Sequence, residues 1–337
     1  TGGAEATEAA VRIARRYTNK QKILTHYRSY HGGTATALAA TGDFRRWWAE
    51  AGATGFVKAY NPTPLKFSWG ASEEEASSVA LAALEEQILY EGPSTIAAIL
   101  IESIIGSGGA VAHPQGYVQG VRALCDKYEI LYIADEVMVG FGRTGKLWGF
   151  QHYDGVVPDL VTSAKGLSGA YLPLSVVGMR EPIRQFFLDK PLAWGATYQA
   201  HPVSLACAYE CVKHMIAHDL PGNAAKLQPV MVECMQQIVD DHPTVRQGRA
   251  LGLFGCLDLI DPSSGEYIQQ LHVPSPPAVN AFKKAMREEG VYGLLRPPFV
   301  HCAPPLVINE EELRDGFARV DRALDVLDEE IGVVKQG

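Results

Sequence analysis

The stretch Leu131-Tyr-Ile-Ala-Asp-Glu-Val137 decides the fold, because it has the pattern of a buried strand that ends in two acids. Residues 130–134 are apolar without alternation, which is typical of a parallel strand covered on both faces. Asp135 and Glu136 follow at the carboxyl end of that strand, the edge at which open α/β sheets bind their ligands. We therefore expect a binding site directly after residue 134.

A second apolar run brings a lysine to the same edge. Residues 160–164 are followed by Lys165 and Gly166. Two neighbouring strands would place an acid and an amine in one crevice, which suits pyridoxal 5'-phosphate: a lysine forms its Schiff base and a carboxylate keeps its ring nitrogen protonated. For either residue alone, an acidic strand end or a surface lysine is the simpler interpretation.

Composition limits the class of protein. The chain has 337 residues, 47% hydrophobic and 20% charged, which suffices for one large domain and a smaller one. A net charge of −8 and the lack of a basic block argue against a nucleic-acid partner. No apolar run reaches membrane-spanning length and no signal-peptide pattern opens the chain. The sequence thus predicts no membrane partner.

The cysteines indicate a reducing compartment. There are six, scattered and without a CxxC pair. We interpret them as free buried thiols and expect no metal site, although Cys207 and Cys211 share a helix face. A cytoplasmic location follows, with the mitochondrion left open.

The first residues form a glycine turn that leads into a helix. Gly2 and Gly3 precede an apolar stripe with arginines on the opposite face. The free amides of such a helix start are a natural phosphate site, and a plain helix cap is the alternative. Because a globular protein rarely begins on its own binding loop, we expect a segment upstream of residue 1 in the complete protein.

Alternating strands and helices predict a mostly parallel, doubly wound sheet. The predicted strands cover 23–27, 96–101, 130–134, 158–165 and 174–179, and the helices 73–90, 116–128 and 202–218. We expect residues 42–72 to be irregular. The helix over 202–218 is apolar over much of its surface, which predicts a buried spine.

The tail has the pattern of a smaller α+β domain. Helices over 225–239, 277–289 and 310–331 accompany strands within 245–261 and 292–307, after a break at Pro221-Gly222. We place a large domain at 1–220 and a small one at 221–337. The GxGxxG match at 140–145 does not predict dinucleotide binding, because it follows an Asp-Glu pair and precedes bulky aromatic residues instead of opening a helix.

A series of motifs gives the chain a family resemblance. In chain order they are GGAEATEAAVRIAR (2–15), SYHGG (29–33), ESIIGSGG (102–109), ADEVMVGFGRTG (134–145), SAKGLSGAYLPL (163–174), GATYQAHP (195–202) and APPLVI (303–308). The chain resembles the class III (ω-type) aminotransferases of fold type I, the pyridoxal-phosphate transferases with a mostly parallel large domain. The resemblance covers essentially the whole chain and implies a small-molecule amino donor, a keto acid and a ping-pong reaction.

The resemblance also implies residue roles. Lys165 looks like the Schiff-base lysine and Asp135 like the partner of the pyridinium nitrogen. Val137 and Tyr30 would cover the two ring faces, with His31 in the same turn as Tyr30.

Four further positions match residues of the family site. The amides of Gly3 and Ala4 would bind the phosphate, and Glu102 would support the site from its strand end. Thr197 is similar to the threonine that reaches the neighbouring subunit's phosphate, which implies a homodimer with a shared active site. Arg296 is our candidate for the substrate carboxylate, since a guanidinium suits a planar anion.

Departures from the family pattern leave alternatives open. The family's Glu-Pro is Glu102-Ser103 here, and the second glutamate of the γ-aminobutyrate and ornithine enzymes is Ser107. The residue after Asp-Glu-Val is often glutamine in the family and is Met138 here, which resembles the β-alanine, taurine and ω-amine transaminases that use pyruvate. A pyridoxal-phosphate aminomutase or lyase, or a truncated non-catalytic homologue that serves as a structural subunit, remains an alternative to an aminotransferase.

Overall fold

The computed structural model describes residues 1–49, 52–270 and 272–335. They form two compact units. One contains residues 1–141 and 147–218, and the other contains residues 142–146 and 219–337.

The first unit is built on a six-stranded sheet with helices between its strands. Its strands are β1 Lys22–His26, β2 Phe56–Ala59, β3 Ile96–Glu102, β4 Ile104–Ile105, β5 Val111–Ala112, β6 Leu131–Asp135, β7 Leu160–Ser163 and β8 Val176–Met179. Its helices are α1 Gly3–Thr18, α2 Ala35–Ala40, α3 Glu73–Glu91, α4 Tyr117–Lys127, α5 Glu181–Phe186 and α6 Pro202–Ala217.

The sheet order is β2-β1-β3-β6-β7-β8. The first five strands are parallel and β8 runs antiparallel to β7, so the carboxyl ends of the parallel strands share one edge. β3 is buried at all seven positions, as expected for a central parallel strand. The short β4 and β5 pair outside this sheet.

Helix α1 packs on the sheet through its apolar stripe. Ala10, Ile13 and Ala14 are buried in one cluster with Leu100, Ile133 and other strand residues. Because these side chains are small or branched, the helix lies close to the strands. Its N-terminus is thereby fixed beside the strand ends.

Two expectations for this unit are wrong. The stretch 42–72 contains strand β2, which pairs in parallel with β1 through Ile23 and Phe56; residues 50 and 51 lie outside the described part. Helix α6 is not a buried spine, because within this chain only Ser204, Ala208 and Met215 are buried. Apolar residues lie on all sides of α6, but only one side of the helix packs against the rest of the unit.

The second unit is α+β. It contains β9 Val245–Leu251, β10 Phe254–Asp261, β11 Glu266–Tyr267, β12 Leu294–Arg296, β13 Phe299–Cys302, α7 Leu220–Asp241, α8 Pro277–Glu288 and α9 Glu310–Ile331. Its strands are antiparallel in the order β11-β10-β13-β12, with β9 also paired to β10. Leu257, Phe282 and Leu324 lie in its core.

The predicted break at Pro221-Gly222 is wrong, because α7 already begins at Leu220. Proline is tolerated in the first helical turn, where its missing N–H has no intrahelical partner. The Asp219 side chain caps this helix by accepting a hydrogen bond from the Gly222 amide. None of the helices within residues 1–49, 52–270 and 272–335 is long and apolar enough to cross a membrane.

Candidate active site

Three adjacent strands bring polar residues together at the carboxyl edge of the six-stranded sheet. Glu102 is the register partner of Asp135, and Asp135 is the register partner of Thr162. All three side chains are buried. The strand register therefore fixes the Asp135 carboxylate between β3 and β7, at the edge predicted to bind a ligand.

Both oxygens of the Asp135 carboxylate are held. Oδ1 accepts a hydrogen bond from the amide of Val137 at 3.0 Å. Oδ2 lies 2.6 Å from Nδ1 of His31, and both side chains are almost fully buried. A carboxylate held at both oxygens has a fixed orientation, which suits it to hold one particular group of a ligand.

His31 is itself fixed through its backbone. Its amide donates to Oγ1 of Thr41 at 3.0 Å, and its carbonyl accepts from Oγ1 of Thr7 in α1 at 3.1 Å. Its Nε2 atom is buried and has no hydrogen-bond partner among the described residues. A buried unpaired nitrogen at a strand edge indicates that a polar group or water belongs beside it.

Glu102 holds two loops of the site. Its Oε1 accepts from the amide of Tyr30 at 2.9 Å, and its Oε2 accepts from the amide of Gly106 at 2.7 Å. Burial raises the pKa of Glu102 to about 7, with the nearby His31 lowering it and Asp135 raising it. One carboxylate therefore ties the Tyr30 turn to the glycine loop.

Glu136 is a second buried carboxylate, to which the sequence analysis assigned no role. It accepts hydrogen bonds from Oγ of Ser103 at 2.5 Å, from the amide of Gly149 at 2.7 Å and from the amide of Phe150 at 2.8 Å. Burial raises its pKa to about 7. Glu136 therefore anchors the loop behind β6, and only the adjacency of two acids in the sequence pointed to it.

The N-terminus of α1 lies directly beside the end of β6. A Cβ atom on Gly3 would be 2.7 Å from Cγ1 of Val137, and one on Gly32 would be 2.5 Å from Cβ of Ala4. Gly32 also has a φ of +139°, which side chains disfavour. No side chain caps this helix, whose N-cap residue is Gly2. The helix therefore starts beside the strand edge without a side-chain cap, and an anion could bind its first amides there.

Lys165 opens the short 3₁₀ turn Lys165–Ser168 directly after β7. Its φ is +41°, a left-handed conformation that is uncommon outside glycine. The residue is exposed within this chain. Lys165 and Asp135 thus follow neighbouring strands, as the sequence predicted.

The Tyr30 ring contacts a residue that the sequence did not predict. The guanidinium carbon of Arg45 lies 3.4 Å from the centroid of the Tyr30 ring. One face of this aromatic ring is therefore covered by a cation. The aromatic-histidine-glycine turn gave no signal for a partner fifteen residues along the chain.

Two predicted site residues remain. Thr197 is an exposed residue of the turn at 197–200. Arg296 is half-buried at the end of β12 in the second unit, opposite Phe299 in the register.

The residues of the first unit fit pyridoxal phosphate. A buried carboxylate, an uncapped helix N-terminus and a lysine all belong to one sheet edge, and an unpaired buried imidazole nitrogen lies among them. Anion, ring nitrogen and aldehyde each have a protein group of matching chemistry there. The site therefore supports the cofactor that the sequence suggested.

Comparison with known proteins agrees with this geometry. The family model for aminotransferase class-III matches residues 1–324. The diaminobutyrate–2-oxoglutarate transaminase of Halomonas elongata is 34% identical, over 96% of this chain and 72% of the relative. The taurine–pyruvate aminotransferase of Bilophila wadsworthia is 30% identical, over 98% of this chain and 75% of the relative.

A solved structure shows the same fold. The taurine:2-oxoglutarate aminotransferase from Bifidobacterium kashiwanohense, in complex with PLP and glutamate, has a TM-score of 0.92 and 36% identity to this chain. The match covers 98% of this chain and 75% of that one. Family model, relatives and fold confirm the resemblance found in the motifs: the chain belongs to the class-III aminotransferases and is a pyridoxal-phosphate-dependent transaminase of fold type I.

Proposed function

We propose that this transaminase moves an amino group from an ω-amino acid or amine to a keto acid, with pyruvate as the acceptor, by a ping-pong reaction. The buried pair of Asp135 and His31, beside the strand of Lys165, is the observation that carries this proposal. The names of the similar enzymes from Halomonas elongata and Bilophila wadsworthia support an ω-amino donor, and the second supports pyruvate. Met138 supports pyruvate as well, by its resemblance to the enzymes that use it.

Two residues would act on the reacting atoms. When bound, pyridoxal phosphate supplies an electron-poor ring that accepts the electron pair left when the donor loses a proton. Asp135 would hold a proton on the ring nitrogen and so keep the ring electron-poor. The amine of Lys165 would hold the aldehyde carbon and, once displaced by the donor, would carry the proton from the amine-bearing carbon.

The surrounding residues would bind and orient the cofactor. The amides of Gly3 and Ala4 at the start of α1 would bind its phosphate. Val137 would pack on one ring face, and Tyr30 would offer the face that Arg45 leaves open. Glu102 would keep the Tyr30 turn in place through its hydrogen bond to the Tyr30 amide.

We also propose that the active protein is a homodimer. Thr197 is exposed within its own chain, and we assign it to the phosphate of the partner's cofactor. The exposed apolar side chains of α6, among them Val203, Leu205 and Tyr209, are consistent with a covered face. We also assign Arg296, at the end of β12, to the substrate carboxylate, and we propose a large domain at 1–220 and a small one at 221–337.

Absorption spectroscopy followed by reductive trapping tests the function. The purified protein should be yellow and should lose its visible absorbance when an amine donor is added. Borohydride treatment before donor addition should then label Lys165, as read from the modified peptide. A colourless protein that pyridoxal phosphate does not reconstitute would contradict the proposal and would favour a non-catalytic homologue.

Product analysis separates the other reactions of this site. In catalytic turnover, a transaminase converts the donor to product only when a keto acid is also present. An aminomutase or a lyase would turn over without it. Formation of alanine from pyruvate, matched mole for mole by the aldehyde from the donor, is the expected result.

For the location, we propose the cytoplasm. The six cysteines are free thiols, which suits a reducing compartment. Cell fractionation with an antibody to the chain checks this, and recovery in mitochondria would contradict it.

A further inference from the structure

We propose that Ser163 is a positioning residue of this active site. Its buried hydroxyl fixes the peptide between Glu136 and Val137, and that peptide sets the Asp135 carboxylate relative to Lys165. The inference rests on the proposed function, in which Asp135 holds the ring nitrogen of the cofactor and Lys165 its aldehyde. The sequence analysis had assigned no role to Ser163.

One peptide group connects Ser163 to the Asp135 carboxylate. The Ser163 hydroxyl donates to the carbonyl oxygen of Glu136 at 3.1 Å, and the amide of Gly140 donates to the same oxygen at 2.9 Å. On the other side of this peptide, the Val137 amide donates to Oδ1 of Asp135 at 3.0 Å. Because a peptide group is planar and rigid, the donors that hold its carbonyl also fix the direction of its N–H. A hydrogen bond accepted at the carbonyl further polarises that N–H toward the carboxylate.

Burial makes this hydrogen bond difficult to replace. Ser163 and Glu136 are fully buried within the chain. A Cβ atom on Gly140 would lie 2.9 Å from Oγ of Ser163 and 2.8 Å from the Glu136 carbonyl oxygen, so the surroundings are closely packed. A water molecule has little room there, and loss of the hydroxyl would leave one acceptor position of the carbonyl unsatisfied.

Ser163 also lies on the strand that leads to the lysine. It ends β7, and Lys165 opens the 3₁₀ turn two residues later. The ladder between β6 and β7 ends with Asp135 opposite Thr162, and beyond it the Glu136 amide donates to the Thr162 carbonyl at 2.8 Å. The Ser163 hydroxyl adds a side-chain link at the point where the two segments leave the sheet. The spacing of Asp135 and Lys165 therefore depends on this link.

Other hydroxyls near the carboxylate act differently. Thr162 is the register partner of the aspartate, but its buried Oγ1 has no hydrogen-bond partner among the described residues. The hydroxyls of Thr7 and Thr41 hold the backbone of His31, whose ring contacts Oδ2 of the carboxylate. Ser163 acts instead on the peptide that contacts Oδ1.

A pair of ligands tests the spacing without turnover, in the full chain after removal of the cofactor. Pyridoxal 5'-phosphate and 4'-deoxypyridoxine 5'-phosphate share the ring and the phosphate, but only the first has the aldehyde that Lys165 holds. The ratio of their Kd values therefore cancels changes in folding, in phosphate binding and in the ring-nitrogen contact. Ser163→Ala should weaken binding of the aldehyde about tenfold more than binding of the analogue, as expected when one buried hydrogen bond is lost. Absorbance after dialysis gives the first Kd, and quenching of tryptophan fluorescence gives the second.

Ser77→Ala is the matched control, because it also removes a buried serine hydroxyl that donates to a carbonyl, that of Gln115 at 2.7 Å. Ser77 belongs to α3, outside the strand ends of the site. Its ratio should stay within about twofold of the wild type. A ratio unchanged in Ser163→Ala, or changed equally in Ser77→Ala, would overturn the inference.

An isotope effect tests the positioning in the cofactor-loaded enzyme. In the proposed function, Lys165 carries the proton from the amine-bearing carbon, and a misplaced base slows this step more than it weakens donor binding. Ser163→Ala should lower kcat about 10- to 100-fold and leave the KM of the donor within about threefold of the wild type. With deuterium on that carbon of the donor, the isotope effect on kcat should be at least as large as in the wild type. A smaller isotope effect would show that another step has become limiting and would overturn the inference.

The two measurements separate this inference from the proposed function. If no donor reacts but the Kd ratio changes as expected in Ser163→Ala, the proposed function fails and the positioning role stands. If amines are transaminated while the ratio and kcat of Ser163→Ala match those of the wild type, the proposed function stands and the positioning role fails.

Discussion

Nδ1 of His31 lies 2.6 Å from Oδ2 of Asp135, in a pair that is buried on every side. The histidine comes from the turn after β1 and the aspartate from the end of β6, so the pair joins two parts of the chain 104 residues apart. The other carboxylate oxygen is held by the Val137 amide. His31 therefore fixes the orientation of the residue that we assign to the cofactor's ring nitrogen.

Replacing His31 with alanine should weaken both catalysis and stability. Oδ2 of Asp135 would lose its partner in a buried site, at a cost of about 1–3 kcal/mol in the free energy of unfolding. With the carboxylate free to rotate, we expect kcat to fall about 10- to 100-fold. Urea unfolding and steady-state rates measure the two effects. His218→Ala, at an exposed histidine of α6's C-terminus, should change neither, and an active His31→Ala enzyme would refute the positioning role.

The close approach of Gly3 to Val137 gives a prediction for cofactor affinity. A methyl group on Gly3 would meet Cγ1 of Val137 at 2.7 Å, so the side chain or the helix start must move. Gly3→Ala should therefore raise the Kd for pyridoxal phosphate about tenfold, read from absorbance after dialysis. The matched control is Gly316→Ala in α9, where a Cβ atom meets nothing within 4 Å.

The Gly316→Ala control should itself change the stability of the protein. Because glycine inside a helix costs about 0.5–1 kcal/mol relative to alanine, Gly316→Ala should stabilise the protein slightly and leave cofactor affinity unchanged. Unchanged cofactor affinity in Gly3→Ala would show that the first turn of α1 is not where the phosphate binds.

Glu136 should make stability depend on pH. Burial raises its pKa to about 7 in the folded protein, above the value near 4.5 expected when unfolded. The folded state then binds more protons between these values, so its contribution is present below about pH 4.5 and is lost as pH rises through about 7. In Glu136→Gln this contribution is absent.

Urea unfolding at pH 5 and pH 8 measures the difference. Wild-type stability should fall by about 2 kcal/mol more over this interval than that of Glu136→Gln. Glu102, whose pKa is also raised to about 7, acts equally in both proteins and cancels in the comparison. Parallel pH profiles would mean that Glu136 is already ionised in the fold.

A hybrid experiment tests the shared active site. Lys165→Ala and Thr197→Val should each reduce activity, the first by removing the amine and the second by weakening phosphate binding. In a mixed dimer, one site would combine the intact lysine of one chain with the intact threonine of the other. Mixing the two variants should thus restore about a quarter of the wild-type sites at statistical exchange. No recovery, with exchange verified by mass spectrometry, would place Thr197 outside the partner's site.

Local patterns of apolar residues explain which strands and helices could be predicted. Apolar runs without alternation gave β3, β6 and β7, and a regular apolar stripe gave α9 with its bounds, because burial imposes these periods on the chain. Strand β2 escaped prediction because its four residues lie among glycine, proline and tryptophan. The helix start at Leu220 was missed because proline ends a helix in most positions but is tolerated in the first turn.

By itself, the sequence determined the alternation of strands and helices, the placing of Asp135 and Lys165 at strand ends, and the family. These follow from residue type and spacing, which the chain carries locally. Only the tertiary structure decided the pairing of His31 with Asp135, the hold of Glu102 on two loops, and the contact of Arg45 with Tyr30 and Ser107. These contacts join segments distant in the chain, and their distances depend on strand register and side-chain packing, which no local pattern encodes.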